Sequence, residues 1–423
     1  MDKINVVVSC PIDTYSGYGA RSRDFVKALI NLEKYDVKIL SQRWGNTRFG
    51  YLEDHKEYDL KDKIILGNLD TKPDVWIQVS VPNEFQAVGK YNIGLTAGIE
   101  TTLCAKEWIE GCNRMNIVLT SSNHSKRVFE NSKYEVKDQQ GQLINTIELQ
   151  TPVEVLFEGV DLEKYFRKDK STFDLSSIPE SFCYLFVGHW LQGAFGEDRK
   201  NIGYTIKSFL ETFKNKPSPP ALILKTMHAT ASIIDRELVL DKIDEVRRTV
   251  KGKLPNIYLI HGDLTDEEVN ELYNHPKVKA MVSLTKGEGF GRPLLEFSIA
   301  RKPIIASGWS GQVDFLDPQL SLLIGGSVDK VHQSALQNGI ILPEAQWFRP
   351  DDAQVGNAYK EVYKQYKKHI VLAKKQGFKN TKEFSFDKMQ ELLGEILDKN
   401  LPEFPKHMPL NMPNVSLPKL NTI

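Results

Sequence analysis

Short apolar runs alternate with helical stretches along most of the chain, and this alternation restricts the fold to an α/β class. Runs of about four to seven residues rich in Val, Ile and Leu predict strands that are buried on both faces, as in a parallel sheet. In the first part of the chain such runs occupy residues 4–9, 37–40, 75–79, 93–96, 117–120 and 153–157. Helical stretches separate several of them, which predicts a doubly wound domain.

A second series of the same kind follows, at residues 184–187, 221–225, 257–260, 278–283, 303–306 and 320–324. The polar stretch between the two series predicts a linker, and a chain of 423 residues is too long for one core. We therefore expect two Rossmann-like domains that face each other across a cleft. The expected boundaries are 1–167 for the N-terminal domain, 168–180 for the linker, 181–350 for the C-terminal domain, 351–400 for helices that return to the N-terminal domain, and 401–423 for a tail.

The tail carries prolines at positions 402, 405, 409, 413 and 418. Prolines at this spacing prevent both helix and sheet. Apolar residues such as Met408, Leu410 and Leu417 lie between them. We expect this Pro-rich tail to dock on the surface of the protein or on a partner.

Charge and cysteine content argue against several classes of protein. The 55 Lys and Arg residues equal the 55 Asp and Glu residues, so no global charge favours nucleic acid or a membrane. The four cysteines form no Cys-x-x-Cys pair, and we expect them to be buried, reduced thiols. The first residues lack the apolar core of a signal peptide, and no run of about 18 apolar residues predicts a membrane helix. These features predict a soluble, cytoplasmic protein.

The densest cluster of glycine and charge lies at residues 286–296, where the sequence reads Lys-Gly-Glu-Gly-Phe-Gly-Arg-Pro-Leu-Leu-Glu. Three glycines in five residues allow a ligand to approach the backbone, and their amides can point at phosphate or sugar oxygens. The pattern becomes helical from about Pro293, and a helix N-terminus favours an anion. Glu288 in the loop and Glu296 one turn inside the helix could bind hydroxyls on two parts of one ligand.

A second glycine loop follows the next predicted strand, at residues 307–314. Together with the spacing of Glu288 and Glu296, it closely resembles the donor site of family 4 of the glycosyltransferases, the retaining enzymes of GT-B architecture. Three further motifs are similar to that family and extend the resemblance over roughly residues 4–395. They are Phe-Glu-Gly-Val-Asp at 157–161, where the family has Pro-Asn-Gly-Val-Asp; Leu-Phe-Val-Gly at 185–188 followed by Arg-Lys-Asn at 199–201; and Ser-Gly-Tyr-Gly at 16–19.

The resemblance implies transfer of a sugar from a nucleoside diphosphate to an acceptor hydroxyl, with retention of anomeric configuration. The N-terminal domain would lie on the acceptor side and the C-terminal domain would bind the donor. Glu288 would contact the transferred sugar, and Glu296 the ribose hydroxyls. Arg199 and Lys200 would neutralise the charge that grows on the leaving diphosphate, the electrostatic stabilisation that such a reaction needs.

The resemblance also assigns backbone groups to the donor. Amides near Phe290 and Gly291 in the loop would hold sugar hydroxyls. Amides near Leu294 and Leu295, in the first helical turn, would hold the diphosphate. Gly17 and Gly19 would lie under the diphosphate across the cleft.

Two positions need a separate interpretation. His189 follows Gly188 where many family members have Arg, so Arg199 would supply that charge from the loop. His189 would either hydrogen-bond a phosphate or be structural. Glu100, in Gly-Ile-Glu-Thr-Thr, resembles a subgroup with Glu-Thr where other members have an acceptor-side His. It would act as a base, an orienting group or a hydrogen-bonding group.

The sequence predicts no metal site and no cofactor other than the donor. No Asp-x-Asp occurs, and the nine histidines form no ligand cluster. A UDP-sugar is the expectation from the family, whereas the acceptor stays open among glycan, lipid, protein, small molecule and modified nucleic-acid base. Two alternatives remain: an inactive relative that binds a nucleotide sugar or glycan, and a nucleotide-sugar epimerase on the same fold.

Overall fold

The computed structural model describes residues 3–404, and its first half is built on a six-stranded parallel sheet. The strand order in this sheet is β2-β1-β3-β4-β5-β8. Strands β6 and β7 form a separate antiparallel hairpin. The strands are β1 (Ile4–Cys10), β2 (Tyr35–Ser41), β3 (Val75–Val79), β4 (Tyr91–Thr96), β5 (Ile117–Thr120), β6 (Tyr134–Lys137), β7 (Leu143–Ile147) and β8 (Val153–Val155).

The second half repeats this plan with the order β11-β10-β9-β12-β13-β14, followed by the antiparallel pair β15-β16. In each sheet the strand order reverses beside the first strand, at β1/β3 and β9/β12. Such reversal points are where open parallel sheets bind ligands. The strands are β9 (Cys183–Val187), β10 (Ala221–Lys225), β11 (Ile257–Ile260), β12 (Val278–Ser283), β13 (Ile304–Ser307), β14 (Leu322–Ile324), β15 (Gly326–Lys330) and β16 (Gln346–Pro350).

Helices cover both faces of each sheet, which explains why the strands read as continuous apolar runs. On β1, Val6 and Val8 enter one core while Val7 enters the core on the opposite face. The helices are α1 (Gly17–Asn31), α2 (Tyr51–Asp54), α3 (Tyr58–Lys61), α4 (Lys106–Cys112), α5 (Asn123–Asn131), α6 (Ile202–Phe213), α7 (Ile233–Arg248), α8 (Asp266–Asn274), α9 (Arg292–Ile299), α10 (Asp352–Lys364), α11 (Tyr366–Glu383) and α12 (Phe386–Asn400).

The last helix packs away from the sheet that precedes it. Met389, Leu393 and Leu397 of α12 belong to the same core as β1 and α1, whereas α10 packs on α6 and α11 on α9. We call the half built on β1–β5 and β8, with α12, the first lobe, and the half built on β9–β14 the second lobe. The part of the Pro-rich tail from 405 to 423 lies outside the described residues.

The chain passes between the lobes twice, and the two crossings lie side by side. The amide of Val160 donates to the Phe384 carbonyl at 2.9 Å, and the amide of Phe386 donates to the Val160 carbonyl at 2.8 Å. Val160 and Ser385 are accordingly paired in parallel. The two segments therefore form one hydrogen-bonded connection.

The sequence did not predict the two antiparallel hairpins. All five residues of β15 are exposed, so no buried face marks it as a strand. Residues 331–345, between β15 and β16, form a small cluster of their own around Trp347 and contact Leu103 of the first lobe. Within residues 3–404, none of the helices has the length and apolar character needed to cross a bilayer.

Candidate active site

Loops from the two lobes meet at the carboxyl ends of β4 and β12. A Cβ added to Gly287 would lie 1.9 Å from the Glu100 carbonyl oxygen, and one added to Gly289 would lie 2.4 Å from that of Ala97. No side chain fits there, so both glycines are required for the lobes to touch. Gly291 is glycine for a different reason, because its φ of 100° at the N-cap of α9 is left-handed.

The Glu288 carboxylate lies at this contact and is bound by two cations. Lys200 Nζ is 2.6 Å from Oε1 and 2.8 Å from Oε2, and an Arg199 guanidinium nitrogen is 3.2 Å from Oε2. Burial alone would raise the pKa of Glu288, but the charges of Lys200 and Arg199 hold it below its ordinary value. Glu288 is therefore an ionised carboxylate inside a buried cluster.

Arg199 links the lobes. The same guanidinium nitrogen that contacts Glu288 is 3.3 Å from Glu100 Oε1 and donates to the Gly287 carbonyl at 2.8 Å. Burial opposes the charge of Arg199, but Glu100 and Glu288 raise its pKa above the ordinary value. The structure brings together four residues that were predicted from three motifs: Glu100, Arg199, Lys200 and Glu288.

Backbone hydrogen bonds hold this cluster in place. The amide of Lys286 donates to the Arg199 carbonyl at 2.8 Å, which ties the loop before α6 to the loop after β12. Asn201 begins α6 in the left-handed region with φ of 57°, and its side-chain amide donates to the Leu284 carbonyl at 2.9 Å. From the second glycine loop, Ser310 Oγ accepts the Glu288 amide at 2.9 Å.

Three successive backbone amides follow Glu288 without a partner. Among residues 3–404, the N–H groups of Gly289, Phe290 and Gly291 make no hydrogen bond. By contrast, the amides of Leu294 and Leu295 donate to the Gly291 carbonyl at 2.9 and 3.4 Å. The first set is free to bind an oxygen atom, whereas the second set already has partners in the first turn of the helix.

Glu296 lies in α9 and is buried. Its Oε1 accepts from Arg292 Nε at 2.7 Å, and another nitrogen of Arg292 is 2.5 Å from Asp24 Oδ2 on α1. Burial raises the pKa of Glu296 to about 7, although Arg292 opposes the shift. Arg292 and Asp24 form a second ionic contact between the lobes, which the motif analysis did not identify.

The remaining predicted donor residues lie around this cluster. Gly17 is exposed at the start of α1, whereas a Cβ on Gly19 would lie 2.3 Å from the Thr14 carbonyl. His189 is exposed at the end of β9, and desolvation by the cleft walls together with Lys200 and Lys225 lowers its pKa. His189 therefore favours the neutral imidazole, which can still donate one hydrogen bond.

Tyr18, between the two N-terminal glycines, was not predicted to have a role. Its hydroxyl is 3.0 Å from Thr96 Oγ1 and accepts the amide of Ala97 at 3.2 Å. Tyr18 thereby fixes the β1–α1 turn to the loop that carries Glu100. The motif Ser-Gly-Tyr-Gly placed Tyr18 in the turn, but its hydrogen-bond partners are 78 and 79 residues away along the chain.

Comparison with known proteins identifies a fold and no family. No model of a protein family matches the sequence, and no curated protein does either. Solved structures match over nearly the whole chain. A glycosyltransferase from Rickettsia africae matches with a TM-score of 0.60 at 14% identity, over 95% of this chain and 99% of that one.

Two further structures give the same result. The sucrose-phosphate synthase of Thermosynechococcus elongatus matches with a TM-score of 0.61 at 12% identity, over 94% of this chain and 99% of that one. The HepE protein of Anabaena, solved with UDP and glucose, matches with a TM-score of 0.56 at 11% identity, over 94% and 100%. These similarities confirm the predicted fold class, because the chain has the GT-B fold of two facing Rossmann-like sheets.

Proposed function

We propose that the chain is a retaining glycosyltransferase that moves a sugar from a nucleoside-diphosphate sugar to an acceptor hydroxyl without a metal ion. The observation that carries the proposal is the buried cluster of Arg199, Lys200 and Glu288 beside the free amides of residues 289–291. Two fixed cations can stabilise a diphosphate leaving group, and the amides and carboxylate can bind sugar hydroxyls. The HepE structures contain UDP or UDP-glucose, which supports a donor of this class.

The cluster suggests how the donor would be used. In the structure Lys200 and Arg199 are paired with Glu288. A bound diphosphate would take over part of these contacts, and Glu288 would then accept hydrogen bonds from the transferred sugar. As the bond between the anomeric carbon and the diphosphate oxygen breaks, the acceptor oxygen would bond to that carbon from the same face. The leaving diphosphate would take the acceptor proton.

The nucleoside would lie further along α9. Glu296 lies four residues after Arg292, the first residue of α9. Arg292 binds its Oε1, and its Oε2 would accept hydrogen bonds from the ribose hydroxyls. The assignment to family 4, retention and independence of metal rest on the motif resemblance and on this charge arrangement. Retention and independence of metal each have their own test.

A thermal-shift panel of nucleoside diphosphates and their sugars, at about 1 mM and with EDTA, tests the donor site. A donor with Kd near 10 μM should stabilise the protein by about 2.7 kcal/mol, a shift of several degrees. We expect one base to stand out. A flat panel, with and without Mg²⁺, would contradict the proposal, and a shift only with Mg²⁺ would contradict independence of metal.

Product analysis tests the reaction class. With the donor identified, proton NMR of the earliest product should show the anomeric configuration of the donor. The inverted anomer would contradict retention. A sugar that is altered but still attached to the nucleotide would indicate an epimerase instead.

A further inference from the structure

An aromatic stack leads from the Glu100 loop towards the surface of the first lobe. The ring centroids of Tyr18 and Trp44 are 3.9 Å apart, and the ring planes differ by 21°. Tyr18 is fixed to Thr96 and Ala97, at the start of the loop whose end carries Glu100. The stack therefore begins at the loop through which the first lobe meets Gly289 of the second.

The loop that carries Trp44 is anchored at both ends and open in the middle. At its start the Gln42 amide donates to the Cys10 carbonyl at 2.9 Å, and near its end the Gly50 amide donates to the Asp13 carbonyl at 3.0 Å. Between these anchors, residues 45–49 are exposed and Trp44 is half-buried. Among residues 3–404 the Trp44 indole stacks on Tyr18 alone, so its opposite face has no aromatic partner.

We propose that Trp44 and Tyr18 form the acceptor subsite and that the acceptor is a carbohydrate. This inference rests on the proposed function. A pyranose ring has a face of C–H bonds that packs on an indole and a rim of hydroxyls that needs hydrogen bonds. The loop offers both, because it carries the Trp44 indole and, close to it in the chain, the exposed polar residues Asn46 and Thr47.

The same surroundings argue against a lipid acceptor. A lipid chain needs a continuous apolar surface, but the exposed residues beside Trp44 are Arg43, Gly45, Asn46 and Thr47. A single indole whose chain neighbours are polar or glycine matches the size of one sugar ring. An acceptor sugar on Trp44 would direct a hydroxyl towards Glu100 and Glu288, where its oxygen would displace the diphosphate from the anomeric carbon.

Acceptor kinetics test the subsite. The probes are p-nitrophenyl hexopyranosides of both anomers, with glycerol, octanol and a serine peptide as acceptors that are not sugars, and the donor identified by the thermal-shift panel. We expect transfer to at least one glycoside. Trp44→Ala should raise the KM for that glycoside at least about tenfold with little change in the KM for the donor, and Trp44→Phe should have a smaller effect.

Phe49→Ala is the matched control. Phe49 lies in the same loop, is 45% exposed and makes no ring contact with Tyr18. Its removal should leave the KM for the glycoside unchanged while perturbing the loop to a similar degree. An equal rise in KM in both variants would indicate a general effect on the loop and would overturn the role of Trp44.

The outcomes separate this inference from the proposed function. If the donor binds and is transferred only to an acceptor that is not a sugar, the inference fails and the proposed function stands. If no donor binds, the proposed function fails. Calorimetric titration of the glycosides into the protein with UDP bound gives a readout without turnover. Absence of binding for every glycoside, or binding unaffected by Trp44→Ala, would overturn the subsite.

Discussion

Glu288 keeps its charge inside the protein because Lys200 and Arg199 face it at 2.6–3.2 Å. If this cluster binds the transferred sugar and the diphosphate, Glu288→Gln and Lys200→Ala should each lower kcat/KM at least about tenfold, as expected for one lost transition-state contact. Steady-state kinetics with saturating acceptor measure the change.

Lys214→Ala provides a control for loss of a lysine. Lys214 lies at the end of α6, the helix that follows Lys200, and pairs with Glu211 on the surface at 2.5 Å. This variant should keep the wild-type kcat/KM. Unchanged turnover in both Glu288→Gln and Lys200→Ala would refute the assignment of the site.

If Glu296 binds the ribose of the donor, donor binding should depend on pH. Because burial raises its pKa to about 7, the carboxylate is mostly protonated at pH 6 and mostly ionised at pH 8. Only the ionised form offers all its lone pairs to the ribose hydroxyls. Affinity for UDP-glucose, whose phosphates do not titrate in this range, should therefore rise about tenfold from pH 6 to pH 8.

Calorimetric titration at several pH values measures this effect. Glu296→Gln should bind more weakly at pH 8 and show a flat profile, because the amide does not titrate. A wild-type affinity that is constant from pH 6 to pH 8, or one that falls, would exclude Glu296 as the titrating ribose ligand.

The residues of the cluster could be predicted from motifs, but their contacts could not. Glu288, Arg199 and Glu100 each stand in a recognisable pattern, yet only the approach of the lobes brings Glu100 to 3.3 Å from Arg199. Arg292 was visible within the motif, but its partner Asp24 lies 268 residues earlier. Such distant pairs depend on tertiary packing, which local sequence does not encode.

Gly287 and Gly289, in the loop after β12, must be glycine because the other lobe contacts their Cα atoms closely. A Cβ at position 289 would lie 2.4 Å from the Ala97 carbonyl, which is closer than atoms can approach. Gly289→Ala should therefore force the lobes apart and lower kcat/KM at least about tenfold, the scale of a small misplacement at a reacting centre. The thermal midpoint should change much less than the activity, because each lobe keeps its own core.

Gly356→Ala in α10 is the corresponding control. There the nearest atom to an added Cβ, Thr212 Oγ1, is at 3.6 Å, an ordinary contact. Alanine in a helix should stabilise the protein by about 0.5–1 kcal/mol and leave kcat/KM unchanged. Full activity in Gly289→Ala would show that the close contact between the lobes is not needed for turnover.

Strands that lie inside the two sheets were predictable, and the antiparallel pairs were not. The residues of β3 are all buried, so an apolar run identifies the strand. β15 has the sequence Gly-Ser-Val-Asp-Lys and is exposed throughout, and it is a strand because β16 pairs with it. A pattern of hydrophobicity cannot predict an element that pairing alone creates.

The first lobe depends on the last helix as well as on its own sheet. Leu393 of α12 is fully buried in the core of the first lobe. Leu393→Ala should destabilise that lobe by about 2–5 kcal/mol, and scanning calorimetry should show its transition at a lower temperature. Glu395→Ala, exposed on the same helix, should stay within about 0.5 kcal/mol of wild type. Equal midpoints in the two variants would contradict the role of α12.

The paired crossings between the lobes restrict how the protein can open. Two segments joined by hydrogen bonds at Val160 bend across their common plane more easily than they twist about their length. We therefore expect the lobes to open as a hinge about this connection. A single pair of spectroscopic labels, one on each lobe, would then follow opening as one distance that changes between the free and bound protein.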